Sequence, residues 1–312
     1  MSQLTQIQEQ ILQTQQAIRE HERVLRDNPT SRALMYAGRS LRKRQEMLER
    51  EFMAVADSAG RDVFSYRIVP IDTDTPSVST VSSTIGAFQD LVSVVYDSIK
   101  HDPKVRRRIP DDVAKETTFN FGYTFAGSIG VVFTVPNERL LMEEVLSNLD
   151  DSIYQILAMS KAESATDLVK FARSYGIATI RSLYQWAKIN RNSNVAVELG
   201  WHRNEKVRQS TFVQPQEFRR LQEIIEVTSD EKSTVVTMRG ELLGADAKPK
   251  RFHFKPDDGE DIRGTFDSAI NSENHPGIHE RYLAKIRKTE RISYATDKEE
   301  ITYFLESLKP VE

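Results

Sequence analysis

The densest chemistry in the sequence is cationic. Lys104-Val105-Arg106-Arg107-Arg108 stands beside Pro103, just after a helical stretch. Guanidinium groups that converge on one spot grip phosphate oxygens bidentately, so Lys104, Arg106, Arg107 and Arg108 are candidates for contact with a polyanion. The plainer reading is a solvated turn whose arginines meet Asp111, Asp112 and Glu116 nearby. A second group, Arg39, Arg42, Lys43 and Arg44, has positions 39, 42 and 43 at three- and four-residue spacing, which is one face of a helix. That face can lie along a nucleic-acid backbone. The competing reading is the flank of a paired helix, neutralised by Glu9, Glu20 or Glu22.

Other constellations point to packing or turns. His275 and His279 have the four-residue spacing of helical metal ligands, but Pro276-Gly277 between them breaks that helix and the chain has no cysteine. Asp257-Asp258-Gly259-Glu260-Asp261 has the charge of a calcium loop without its ligand spacing, and reads as a hairpin turn. Glu198 is the nearest approach to a nuclease-type carboxylate, yet no lysine follows two residues later. Phe171–Lys188, with Gly176 at a turn, has the outline of a helix-turn-helix, but its aromatic residues suit a core better than a DNA groove. The sequence contains no P-loop, spaced-glycine fingerprint, nucleophile elbow or kinase motif set. No metal and no cofactor is expected, and no catalytic residue is assigned.

The elements that would carry these groups follow from apolar spacing. Leu4, Ile7, Ile11, Ile18 and Leu25 alternate steps of three and four once Thr14 and His21 fill the seam. Asn28-Pro29 breaks the run, and Thr30 or Ser31 can cap a second helix carrying Leu34, Ala37, Leu41, Leu48, Phe52 and Val55. Residues 3–58 are therefore an antiparallel, coiled-coil-like helical hairpin whose arms reach about 35–40 Å, more than a small core can cover. Residues 61–80 read as a strand, Val63 to Val69, and a linker rich in Pro, Ser and Thr. Helical spacing then runs from Val81 to His101. Alternation across 118–135 predicts a β-hairpin turning at Gly127-Ser128, with one long strand bent at a glycine bulge as the alternative, and helices are expected around Leu140–Leu157, Leu168–Tyr175, Ile180–Ala187 and from Pro215. A strand is expected at Val195–Trp201.

From Ser233 short β runs punctuated by glycine predict a small bent sheet or barrel: Thr234–Met238, Gly240–Leu243, Arg251–Lys255, Asp261–Phe266, Tyr282–Ile286 and Ile301–Leu305. The expected class is α+β, divided as hairpin (1–60), strand and linker (61–80), α+β domain (81–230) and β-rich domain (231–312).

A chain of 312 residues exceeds what one core usually serves. A net charge of −3 gives no global pull toward polyanions, so such contact needs a local patch. The absence of cysteine favours an intracellular, cytoplasmic setting. No leader-like start and no run of about 18 apolar residues is evident, so no membrane partner is expected. The expectation is a non-catalytic protein that binds a protein partner or itself through the seam of Leu4, Ile7, Ile11, Ile18, Leu25, Leu34, Leu41 and Leu48, aided by the β-rich module. Two alternatives stand beside it: nucleic-acid binding through the basic clusters, and an enzyme whose site is assembled only by the fold.

Overall fold

A computed structural model describes residues 2–72, 75–125, 129–137, 146–203, 205–246, 248–266, 276–296 and 299–311. The chain is α+β and divides into two compact units, Met1–Ile225 and Glu226–Glu312.

The first unit opens with α1 (Gln3–Asp27) and α2 (Arg32–Ser58), each begun by a serine whose hydroxyl accepts a backbone N–H, Ser2 from Thr5 and Ser31 from Leu34. Such caps satisfy N–H groups that a helix start leaves unpaired. The helices pack together as a hairpin. Next come β1 (Arg61–Pro70), α3 (Val78–Lys100), α4 (Asp111–Thr117), β2 (Asn120–Phe125) and β3 (Ile129–Pro136). They are followed by α5 (Asn148–Ser160), α6 (Ala165–Tyr175), α7 (Ile177–Asn192), β4 (Val195–Arg203), β5 (Lys206–Val213) and α8 (Pro215–Val227).

The strands form one antiparallel sheet in the order β2-β3-β1-β4-β5. Residues 61–70, expected to lead into a linker at a boundary, are its middle strand, so hairpin, strand and α+β part share one unit. Alternation along β1 sends Phe64, Tyr66 and Ile68 to one face. There Tyr66 meets Phe88 of α3 (5.3 Å between centroids), Phe88 meets Trp186 of α7 (5.8 Å) and Trp186 meets Phe218 of α8 edge-on (4.9 Å). Trp186 donates its indole N–H to the Tyr66 hydroxyl at 3.1 Å. Burial raises the Tyr66 phenol, keeping it a neutral bridging group. On the other face Val63, Tyr123 and Val132 hold the base of the hairpin through Ile7, Ile11, Leu48, Phe52 and Ala56.

The β-hairpin expected over 118–135 forms as β2 and β3; its turn residues 126–128 lie outside the described residues. So do Leu140, Leu141 and Val145 of the expected helix, which is seen from Asn148. Against the expectation of no apolar run of spanning length, α3, with 23 residues and a mean hydropathy of 1.2 in its best 18, is by length and composition apolar enough to cross a membrane. In this unit α3 packs against α5 and α7.

The second unit contains β6 (Ser229–Asp246), β7 (Arg251–Pro256), β8 (Ile262–Phe266), β9 (Arg281–Ser293) and β10 (Glu299–Pro310). They close a barrel, β10-β8-β7-β6-β9, antiparallel at every pairing except β8 with β10. Leu242, Phe252, Phe254, Tyr282, Ile286 and Leu305 fill it. The expected runs Thr234–Met238 and Gly240–Leu243 are one strand, because Gly240 stays in the ladder; a Cβ there would fall 2.2 Å from the Lys255 carbonyl.

Candidate functional site

The hairpin divides into a covered base and an uncovered arm. Near the sheet Ile7, Ile11, Thr14 and Gln15 of α1 and Leu48, Phe52 and Ala56 of α2 are buried. The Gln15 amide donates to the Thr124 carbonyl at 2.5 Å, and Phe52 meets Tyr123 edge-on at 5.2 Å. From residue 16 to residue 47 no side chain is buried. The seam residues Ile18, Leu25, Leu34 and Leu41 are half-buried there, along the line where α1 and α2 pack together. Midway, His21 donates from Nε2 to the Leu34 carbonyl at 2.8 Å, and Gly38 makes room for the ring, since a Cβ at 38 would sit 2.9 Å from that nitrogen. The polar seam position is thus matched by the one residue without a side chain.

The basic group on α2 is only slightly neutralised. Arg42 pairs with Glu22 of α1 at 3.2 Å, both well exposed. Arg39, Lys43 and Arg44 have no ion pair among the described residues; Arg39 lies 5.8 Å from the centre of the Tyr36 ring. Glu9 and Glu20, expected as counter-charges, take none of these cations.

The run at 104–108 has a different fate. The Lys104 ammonium is 2.5 Å from Asp97 and Arg107 is 2.6 Å from Asp90, both acids lying on α3. Arg181 of α7 donates to the Val105 carbonyl at 3.0 Å, pinning the segment. Gly176, at φ +83°, lets the backbone of Lys104 approach where a Cβ would clash at 2.4 Å. Lys104, Arg106, Arg107, Arg108 and Tyr175 border a void of only about 10 Å³. The expected partners Asp112 and Glu116 instead hold Lys100, at 2.9 and 2.8 Å. Bonding to these acids raises the Lys100 ammonium, and burial raises the Tyr96 hydroxyl, which donates to Glu116, to about 12.

The remaining candidates are dispersed. His279, at φ +67°, contacts Glu241 at 2.9 Å, while His275 lies outside the described residues. Asp257 pairs with Arg281 and Asp261 with His253 at 2.9 Å around the β7–β8 turn. Among the described residues no three His, Asp or Glu gather as metal ligands. Glu198 is exposed and bound to Arg67 at 3.0 Å. Ile180, Leu183, Tyr184 and Trp186 of α7 are buried, so this helix belongs to the core. An open groove of about 520 Å³ in the barrel unit is lined by Arg239, Asp257, Glu280, Arg281 and Tyr282. Four of its groups are already engaged in two pairs, Arg281 with Asp257 and the Tyr282 hydroxyl with Glu280.

Comparison with protein-family models, with curated proteins and with solved structures gives no match.

Two arrangements had no signal in the sequence. Arg203 at the end of β4 reaches Asp62 on β1, at 2.9 and 2.6 Å, and Asp150 on α5, at 3.1 Å for one of its two bonds. Asn137 donates to both carboxylates (2.9 and 3.1 Å) and Trp201 to Asp62 (2.9 Å). Burial pushes the Asp150 carboxyl up, but Arg203, Asn137 and the Ser147 cap reverse that and hold it below the usual carboxylate range. Apart from the buried Asn137 Oδ1, which has no partner, the groups of this network bind one another and clip β1, β4 and α5 together. Second, the Ser65 hydroxyl lies 3.3 Å from His202 Nε2 across β1 and β4, where Gly200 leaves room for both. Burial lowers the His202 imidazole, which suits a base. Among the described residues no acid orients its other nitrogen, so the third member of a nucleophile–base–orienter set is missing.

Proposed function

We propose that this protein works by association rather than turnover, with the α1–α2 hairpin as its docking arm. What supports this is the stretch from residue 16 to 47, an extended pair of helices that buries no side chain in its own unit. A segment that adds so little to the core costs conformational entropy to order, and contact with another molecule would offset that cost. The end of the arm presents Val24 (48% exposed), Met35 (44%) and Tyr36 (68%) around the Asn28-Pro29 turn. Large apolar side chains gathered at the far end of a rod favour a partner surface there. The seam itself is occupied by the partner helix, so docking falls to the outward faces. Val235 and Val236 on the exposed first half of β6 give the β-rich module a further surface of the same kind.

A photo-activatable residue at Tyr36 or Met47, in the full chain inside cells that make it, tests the reading. Discrete adducts at both positions are expected, and none at Val78, which is still more open to solvent at the start of α3. Adducts at Val78 alone, or at none of the three, would remove the arm from the function.

A further inference from the structure

The outward face of α2 has a charge pattern that names an occupant. At about 100° per residue Arg32, Tyr36, Arg39, Lys43, Met47 and Arg50 fall within about 80° of one another, while the seam residues Leu34, Leu41 and Leu48 lie about half a turn away. All six outward residues are exposed, Tyr36 and Met47 by 68% and 62%. The stripe is therefore the side of the arm farthest from α1, and α1 cannot obstruct what approaches it. From Arg32 to Arg50 it extends about 27 Å.

Its cations are unspent. Arg32, Arg39, Lys43 and Arg50 make no ion pair among the described residues, and the single bridge between the two helices uses Arg42, off the stripe. Glu46 flanks the stripe on one edge. Residues 19–44 hold eight arginine and lysine side chains against three carboxylates, in a chain whose net charge is −3. An apolar or acidic partner would leave this row uncompensated or meet it at scattered points. A regular line of phosphates compensates it along its length.

We propose that the arm docks on duplex DNA, with the stripe Arg32, Arg39, Lys43 and Arg50 set against the phosphate backbone and Tyr36 and Met47 between the cations. This rests on the reading of the hairpin as a docking arm and names what the arm holds. A convex helix about 10–12 Å across matches a B-form major groove about 12 Å wide, whereas the A-form RNA groove is too narrow to admit it. Single strands are held in grooves lined by several aromatic rings, and this convex stripe offers one. The contacts are to phosphate, so binding is expected to be insensitive to sequence and steeply dependent on salt.

The test is fluorescence anisotropy of the full-length protein with a mixed-sequence DNA duplex over a salt series. Four phosphate contacts predict a slope of log K against log salt of about −3 to −4. The variant Arg39→Gln/Lys43→Gln/Arg50→Gln should lower the slope by about 3 units and the affinity at about 0.1 M salt on the order of 10²-fold. Arg39→Lys/Arg50→Lys should leave both unchanged. The substituted side chains are exposed and make no ion pair among the described residues, so circular dichroism and melting should match the parent; if the triple variant misfolds, Arg32→Gln/Lys43→Gln serves in its place with a slope change of about 2. Absence of duplex binding, binding that the Gln variants leave intact, or equal affinity for RNA duplex, single strands or anionic vesicles would each overturn the proposal. Protein adducts at Tyr36 without DNA binding would overturn the DNA assignment alone and leave the docking arm standing.

Discussion

Replacing Arg203 by methionine isolates a strongly buried ion-pair network in the first unit. The guanidinium spans two carboxylates whose side chains are 0% (Asp62) and 4% (Asp150) exposed, so its removal leaves both acids in the interior without their cation. Breaking a buried pair from one side costs about 3–5 kcal/mol, a large part of a typical folding free energy of about 5–15 kcal/mol. The pH dependence fixes the cause. In the parent the Asp150 carboxyl is held below its ordinary value, so its contribution is present above the unfolded value of about 3.9 and is lost as pH falls through the folded one. In Arg203→Met only Asn137 and the Ser147 cap still oppose burial at Asp150, so its carboxyl should rise, and the variant then loses stability as pH climbs past the unfolded value. The gap in unfolding free energy, read from urea titrations, should be widest near pH 7 and narrow toward pH 5. Asp62→Asn/Asp150→Asn/Arg203→Met should recover part of the loss. A gap below about 1 kcal/mol at pH 7, or one that does not change with pH, would refute the view that the cation compensates two buried charges.

Two further perturbations test the packing that places the arm and closes the barrel. In Gly264→Ala the new Cβ would lie 2.1 Å from the Tyr303 carbonyl, at the parallel β8–β10 closure. A loss of about 1–3 kcal/mol is expected, confined to amides of the second unit in hydrogen exchange. In the hairpin, Gly38→Ala sets a helix-propensity gain of about 1 kcal/mol against the displacement of His21 from Leu34. The single variant should therefore be near neutral and His21→Ala/Gly38→Ala more stable than the sum of its parts by at least about 0.5 kcal/mol, as read by exchange of arm amides.

What was legible in the sequence was local and periodic. The two arms were readable from Leu4 to Val55 because a helix that pairs with only one neighbour keeps a narrow stripe, and Asn28-Pro29 marked the break. The barrel strands were readable because each alternates about a single core. The edge strand β5 was missed: Lys206–Val213 is mostly solvent-facing, so burial does not impose a pattern on it. The short α4 was missed because its seven residues bury only Val113 and Thr117. The Arg203 network joins positions 62, 137, 150 and 203, and no spacing rule links residues that far apart. Ser65 and His202 were hidden for the same reason, since strand register alone brings them together.

The two basic clusters show why residue type cannot settle a binding site. By composition, 104–108 is the stronger, with four cations in five residues. Its neutralising acids, Asp90 and Asp97, lie upstream on α3, and they face the run only because the chain turns back after His101. Its cations are further tied by a backbone segment locked against Gly176 and Arg181, so binding phosphate there would first require breaking bonds that hold α3, α7 and the loop together. On α2 the geometry is reversed. Leu34, Leu41 and Leu48 fix the helix by its inner side, and everything half a turn away points where α1 has no atoms to offer. Opposite charge on α1 can reach a flanking residue such as Arg42 but not the row behind it. The less dense cluster is thus the one whose charge remains available. Its availability follows from the apolar seam, because the side chains that orient the inner face also decide which cations are left without a counter-charge.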